Sequence, residues 1–174
     1  MRIWSAGCAT GEEPYSLAML AHRVLGRRQA GLSVTIFASD IDDDALSKAK
    51  RGVYGARQVN GVDAASLEKF FELESDGGHR VRDEVRSLVR FSKFDLMHTP
   101  LHVNLDLILC RNVMIYFSRE RQQQIHMNFY RALREGGYFI SGKSEILQGE
   151  PSKVFSVVDT TRRVYQKNKQ AIPT

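Results

Sequence analysis

Cysteine is nearly absent from this 174-residue sequence, which has only Cys8 and Cys110. Two thiols so placed exclude a disulfide framework and any CxxC motif, and reduced thiols in a cytosolic protein are expected. Neither cysteine has a histidine beside it, which argues against a thiol nucleophile. The five histidines, His22, His79, His98, His102 and His126, lack ligand spacing with cysteines or carboxylates, so no metal site is expected. No apolar run approaches the ~20 residues that span a bilayer. The start, Met1-Arg2-Ile3, has no signal peptide, so any membrane association is indirect, through a partner. Internal repeats and low-complexity segments are also missing. So is the interleaving of aromatic and basic residues that would stack bases, and nucleic acid is not an expected ligand.

What remains is 43% apolar and 26% charged, the balance of a soluble globular domain, and one domain over 1–174 is expected. The net charge of +5 is small and spread along the chain, which favours a mildly basic surface over a dedicated anionic partner. Short apolar strand-like runs alternate with helix-like segments, the pattern of an α/β fold with a parallel sheet covered by helices on both faces. Strands are predicted at 2–6, 34–39, 88–94, 105–110 and 138–141. The most apolar of them, LDLILC at 105–110, is placed at the sheet centre. Helices are predicted at 15–25 before a Gly26-Arg27-Arg28 break, at 42–50 closed by Gly52, and from a Ser118 cap to Leu133 ended by Gly136-Gly137. A closing antiparallel hairpin joins 154–158 to 163–166, and the tail from Lys167 is expected to fray. Over about 64–87 a short helix, a Ser75-Asp76-Gly77-Gly78 turn and an exposed strand form a small antiparallel β-hairpin insertion.

Residues 2–19, RIWSAGCATGEEPYSLAM, pass from a buried strand through a loop of small residues into a helix. Gly7, Ala9 and Gly11 occupy alternate positions, where a nucleotide-binding loop needs residues without bulk so that its backbone can turn sharply and approach a ligand. A Walker-type phosphate loop would end in Gly-Lys-Ser/Thr, whereas Gly11 is followed by Glu12 and Glu13. Two carboxylates there would repel a triphosphate. They suit a cofactor with hydroxyls and positive charge, such as S-adenosylmethionine. Both also favour the helix start electrostatically, and Pro14 sits in the first turn where its missing N–H costs nothing.

Ligands of open α/β sheets bind beyond the carboxyl ends of the strands. The second predicted strand ends in Asp40, whose carboxylate can accept from two ribose hydroxyls or cap the helix that follows. The third ends in Phe94-Asp95-Leu96, where Asp95 can accept from an adenine amino group with Phe94 or Leu96 packed on the ring, or serve as a plain loop carboxylate. The fourth opens into Arg111-Asn112-Val113-Met114-Ile115-Tyr116-Phe117, a polar segment directly after the core strand.

The runs 2–19, 37–42 (FASDID) and 110–117 (CRNVMIYF), with Gly136-Gly137-Tyr138-Phe139 and Ser144-Glu145, resemble the chemotaxis receptor methyltransferase family, CheR, over nearly the whole chain. The resemblance implies a class I, Rossmann-like S-adenosylmethionine-dependent methyltransferase with a mostly parallel seven-stranded sheet. It implies methyl transfer to glutamate side chains on the cytoplasmic helices of chemoreceptors (methyl-accepting chemotaxis proteins), giving glutamyl methyl esters and S-adenosylhomocysteine in the cytoplasm. Beside the loop residues Gly7, Ala9 and Gly11, the family's cofactor contacts fall on Thr10, Glu13, Asp40, Asp95, Asn112 and Val113. A tyrosine that the family places near the methyl group matches Tyr116, which can donate a hydrogen bond or shape the methyl path, and Arg111 can orient the acceptor carboxylate bidentately. A glutamate with a pKa of ~4.3 is already an anion at neutral pH, so the attack needs positioning and desolvation rather than a general base. In some members the hairpin, here around 71–82, docks a receptor's C-terminal peptide.

Two departures from the family accompany these matches. Lys143 stands where members commonly carry histidine, and the family's N-terminal helical domain, which supplies an active-site arginine, has no counterpart before the strand at Arg2. The chain is thus expected to be the catalytic core alone, a natural short form or a fragment. Two other readings stay open: a catalytically idle cofactor-binding module that recognises a receptor tail, and a methyltransferase of the same fold acting on another carboxylate or a small molecule.

Overall fold

The computed structural model describes residues 1–25 and 33–168. The predicted Gly26-Arg27-Arg28 break lies outside the described residues, as does the predicted frayed tail beyond 168, whereas its first residue, Lys167, is held in a strand and donates to the carbonyls of Tyr130 and Leu133. In chain order the strands are β1 (Arg2–Ala6), β2 (Thr35–Asp40), β3 (Val53–Tyr54), β4 (Phe71–Leu73), β5 (His79–Val81), β6 (Val89–Lys93), β7 (Leu105–Cys110), β8 (Leu133–Ser141), β9 (Phe155–Asp159) and β10 (Val164–Lys167). The helices are α1 (Glu12–Leu25), α2 (Asp43–Arg51), α3 (Ala64–Phe70), α4 (Asp83–Arg86), α5 (Arg119–Ala132) and α6 (Pro151–Val154). Seven strands belong to one mostly parallel sheet, and β3, β4 and β5 form a separate antiparallel one. The chain divides into two compact units, Cys8–Lys93 and Met1–Gly7 with Phe94–Thr174. No described helix is long and apolar enough to cross a membrane.

In the 8–93 unit, β2 pairs in parallel with β6 from Ile36↔Val89 to Asp40↔Lys93. Positions 36–39 of β2 are all buried, as a strand covered on both faces requires. Helix α1 begins at Glu12, three residues before its predicted start, because the Tyr15 N–H already bonds the Gly11 carbonyl at 3.2 Å. Asp42 caps α2 by accepting from the backbone N–H groups of Asp44 and Ala45, and Gly52 ends it in the left-handed region at φ 64°. The small sheet has the order β3-β5-β4, and Phe70 at the end of α3 and Val81 of β5 are fully buried. Its third strand, β3, has only two residues, too few to show an alternation in the sequence.

In the unit built on residues 94–174, the strand order is β1-β7-β8-β10-β9, with β1, β7 and β8 parallel and the last two pairings antiparallel. The LDLILC strand is flanked on both sides by parallel partners, in keeping with a central place. Its core is aromatic: Trp4 meets Phe94 and Phe129 edge-on at 5.7 and 5.4 Å, and Phe139 stacks on Tyr165 at 5.9 Å. Helix α5 starts after Ser118 as predicted, but the Gly136-Gly137 stop is corrected. The helix ends at Ala132, where the Leu133 N–H bonds the Phe129 carbonyl, and both glycines lie inside β8. They serve a bulge there. Gly136 has φ 67°, and a Cβ on Gly137 would lie 3.0 Å from the carbonyl oxygens of Arg134 and Leu105.

Candidate functional site

The glycine loop is built largely by its own backbone. Gly7, Ala9 and Gly11 all have positive φ, at 75°, 45° and 96°. The Gly11 N–H closes on the Cys8 carbonyl and the Cys8 N–H on the Ser39 carbonyl, both at 3.0 Å. Asp40 completes the loop: its Oδ2 accepts the Ala9 N–H at 2.8 Å and its Oδ1 the Asp42 N–H at 3.1 Å. Helix capping thus falls to Asp42, while Asp40 orders the loop and the turn after β2. Each carboxylate oxygen of Asp40 keeps unused acceptor capacity, so the residue fits a pair of ribose hydroxyls. Ile41, next to it and 61% exposed, adds an apolar surface that the sequence pattern did not single out.

Two of the three small loop residues are small for packing as well as for turning. A Cβ on Gly11 would lie 2.9 Å from the Ala49 Cβ and 3.0 Å from the Tyr54 hydroxyl, which itself donates to the Thr10 carbonyl at 2.8 Å. On Gly7 it would lie 2.4 Å from Cγ2 of Val113, and this contact joins two predicted site residues. The Thr10 hydroxyl donates to the carboxylate of Glu12, which also accepts from Gln58 at 3.0 Å, so Glu12 organises the loop. Glu13 is partly buried in the first turn of α1. Burial, reinforced by the charge of Asp40, pushes the Cys8 thiol up to about 12, which makes it inert as a nucleophile.

In the other unit, β7 delivers residues 111–117. Arg111 and Asn112 are exposed, Asn112 adopts the left-handed φ of 61°, and Tyr116 sits at the end of a 3-10 turn (Met114–Tyr116) with 80% of its surface exposed. The residue that holds this segment is Glu145, only 6% exposed. Its Oε1 accepts the Met114 N–H at 2.9 Å, and its Oε2 accepts the N–H groups of Asn112 at 3.2 Å and Gly142 at 2.6 Å. The Gln122 side-chain amide donates to the carbonyls of Met114 and Phe117 at 2.9 and 3.1 Å. Beside the segment lies a hollow of about 130 Å³ bordered by Met114, Ile115, Gln122 and Glu145.

Asp95 is drawn into its own turn. Its Oδ1 accepts the Met97 N–H at 2.9 Å, and its Oδ2 lies 3.7 Å from Nδ1 of His98. Leu96 is buried and Phe94 packs edge-on against Trp4, so each of the expected ring-packing side chains already has protein neighbours. The arginines of the insertion are paired, Arg80 with Glu74, Arg82 with Glu72 at 2.8 Å and Arg86 with Asp83 at 2.9 Å. A hollow of about 450 Å³ in the 8–93 unit, against Tyr15, Lys50 and Arg86, contains none of the predicted site residues.

The family described as CheR methyltransferase, SAM binding domain, matches residues 1–164. Chemotaxis protein methyltransferase 2 of Vibrio cholerae is 36% identical over 160 residues, 90% of this chain and 55% of that protein. The chemotaxis protein methyltransferase of Borreliella burgdorferi is 32% identical over 170 residues, 97% of this chain and 59% of that protein. The chain thus spans little more than half the length of these relatives. Among solved structures, a TehB-like SAM-dependent methyltransferase from Corynebacterium glutamicum matches with a TM-score of 0.54 at 14% identity, covering 95% of this chain and 77% of that one. That likeness is one of fold, the class I methyltransferase α/β architecture.

Proposed function

The chain belongs to the CheR methyltransferase family, whose S-adenosylmethionine-binding domain it carries, and on that premise we propose that it forms glutamyl methyl esters on the cytoplasmic helices of chemoreceptors. The observation that carries this reading is Asp40, a carboxylate at the end of a parallel strand that orders a left-handed loop of small residues and keeps acceptor capacity on both oxygens. In it, Asp40 takes the ribose hydroxyls, while Gly7, Ala9 and Gly11 let the backbone approach the cofactor. Thr10 and Glu13 serve its methionine end, with Glu13 adding negative charge. Asp95 receives the adenine amino group through its Oδ2, and Asn112 and Val113 line the cofactor from the segment after β7.

S-adenosylmethionine supplies, when bound, a methyl group on a positively charged sulfur and leaves as S-adenosylhomocysteine. The acceptor glutamate, with a pKa of ~4.3, is already anionic, so the chain has no proton to remove. What it contributes is placement. Arg111 orients the acceptor carboxylate through its guanidinium fork, and the exposed hydroxyl of Tyr116 donates to it or shapes the methyl path. Chemoreceptor helices as acceptors put the reaction in the cytoplasm. The edge strand β4 of the small sheet, with Leu73 74% exposed, offers a receptor's C-terminal peptide an edge for strand addition.

The test is methyl transfer from radiolabelled S-adenosylmethionine to a chemoreceptor cytoplasmic fragment, beside calorimetric titration with S-adenosylhomocysteine. One-site binding and alkali-labile label on the receptor are expected. No binding by a folded chain would overturn the reading, and binding without transfer would favour an idle recognition module.

A further inference from the structure

Of residues 111–117 only Met114 is buried, while Arg111, Asn112, Ile115 and Tyr116 are exposed. A catalytic group on such a segment must still be held to within about 0.5 Å to be useful. Resting on the methyltransferase reading, we propose that Glu145 is the positioning residue of this site. Its carboxylate fixes Asn112, Val113 and the turn that presents Tyr116.

The argument lies in the donor count. A carboxylate is acceptor-only, and this one takes three backbone N–H groups: Asn112 and Met114 from the segment after β7, and Gly142 from the end of β8. The first two flank Val113, the side chain seated against Gly7. The Gln122 amide secures the carbonyls of Met114 and Phe117 on either side of Tyr116, so the backbone is held before and after the tyrosine while its side chain stays open to an acceptor. An amide in place of the carboxylate would turn an NH2 group toward at least one of the three donors. Glycine at 142 belongs to the same device, since a Cβ there would lie 2.6 Å from Oε2 of Glu145 and 2.9 Å from Oδ1 of Asn112.

Glu145→Gln in the full chain tests this, and backbone amide exchange of the cofactor-free protein is read first. Faster exchange is expected at Asn112, Met114 and Gly142, with the 107–109 amides of β7 unchanged. Methyl transfer by the variant should fall by roughly tenfold to a hundredfold in kcat. Adding Tyr116→Phe should then lower kcat no further, because both changes remove the same contribution. Gly142→Ala, which displaces the carboxylate without removing its charge, should reproduce the pattern. Unchanged exchange at the three amides would overturn the proposal. So would uniform loss of protection in both variants, or fully additive effects with Tyr116→Phe. A wild-type chain that neither binds S-adenosylhomocysteine nor transfers methyl groups defeats the methyltransferase reading instead, and leaves the exchange result to stand by itself.

Discussion

The loop at residues 7–11 and the loop at 111–117 both leave the carboxyl end of a parallel strand and both answer to a distant carboxylate, yet they tolerate different injuries. The glycine loop is ordered by a bond within its own backbone, by the Ser39 carbonyl and Asp40 carboxylate at the end of β2 and by the Tyr54 hydroxyl, and its vulnerable atoms are absent ones, the Cβ positions at Gly7 and Gly11. The loop after β7 carries ordinary side chains and is ordered from a distance, by Glu145 and by Gln122 on α5. Both loops borrow a carboxylate from a distant stretch of chain, but the first depends in addition on Cβ atoms that must not be there, and the second on an amide brought in by α5. The first should therefore break when bulk is added, and the second when its remote support is loosened.

Acid should loosen the second loop's support with the largest effect. His126 lies one turn after Gln122 on α5, is 2% exposed, and has a buried Nε2 without a hydrogen-bond partner among the described residues, packed near Phe129 and Phe139. Burial pushes its pKa down to about 4. An unfolded histidine titrates near ~6.5, so between ~6.5 and ~4 the unfolded chain binds a proton that the folded chain refuses. Stability is full above that window and falls as pH drops through it, by up to about 3 kcal/mol. Melting curves from pH 7 to pH 4.5 should show the fall in the wild type and a smaller one in His126→Leu. Equal slopes would remove the imidazole as the cause.

Bulk added at Gly11 should break the first loop and spare the second. Alanine there must adopt φ 96° and bring its Cβ to 2.9 Å from Ala49, where the neighbouring Cα at 3.2 Å leaves no flexible atom to give way. Gly11→Ala should cost about 2 kcal/mol in urea denaturation. Protection of the Asn112 and Met114 amides should be retained. Loss of protection at both loops together would show that they are not separately held.

The same contrast decides what was legible in the sequence. Strand β7 is read to the residue because LDLILC is strongly apolar despite Asp106, and the glycine loop because its small residues and acidic helix start are local signals of known geometry. Glu145 belongs to a run that resembles the family, but its role carries no local signal: its partners Asn112 and Met114 lie 33 and 31 residues away, and nothing in the sequence marks it as a buried acceptor. Gly136-Gly137 misleads for a related reason. Glycine after a helix usually means a left-handed cap, whereas this pair answers to the carbonyl of Leu105 on the adjacent strand. A carboxylate at a strand end, such as Asp40, is legible from its position even though its partner Ala9 is distant, whereas a buried acceptor such as Glu145 is defined only by the folded chain.

A third change separates the ordering role of Asp40 from its proposed ligand role. Asp40→Ala removes the acceptor for the Ala9 N–H and the oxygens assigned to the ribose, and should weaken S-adenosylhomocysteine binding roughly twentyfold by calorimetry. Asp40→Asn keeps one carbonyl oxygen and should fall between the two. Equal loss in both would mean that negative charge, rather than acceptor placement, is what the cofactor requires there.

The smallest effect belongs to the most exposed candidate. Tyr116→Phe removes one hydroxyl from a side chain that is 80% exposed and leaves the turn Met114–Tyr116 with its backbone bonds to Glu145 and Gln122. Its contribution should therefore appear in turnover alone, as roughly a tenfold fall in kcat toward a chemoreceptor fragment, with S-adenosylhomocysteine affinity unchanged. A change in affinity without a change in turnover would place Tyr116 on the cofactor instead of the acceptor. Normal turnover would strip the hydroxyl of any polar part in catalysis. The second loop's function would then rest on Arg111, with the Glu145 clamp serving the guanidinium rather than the phenol.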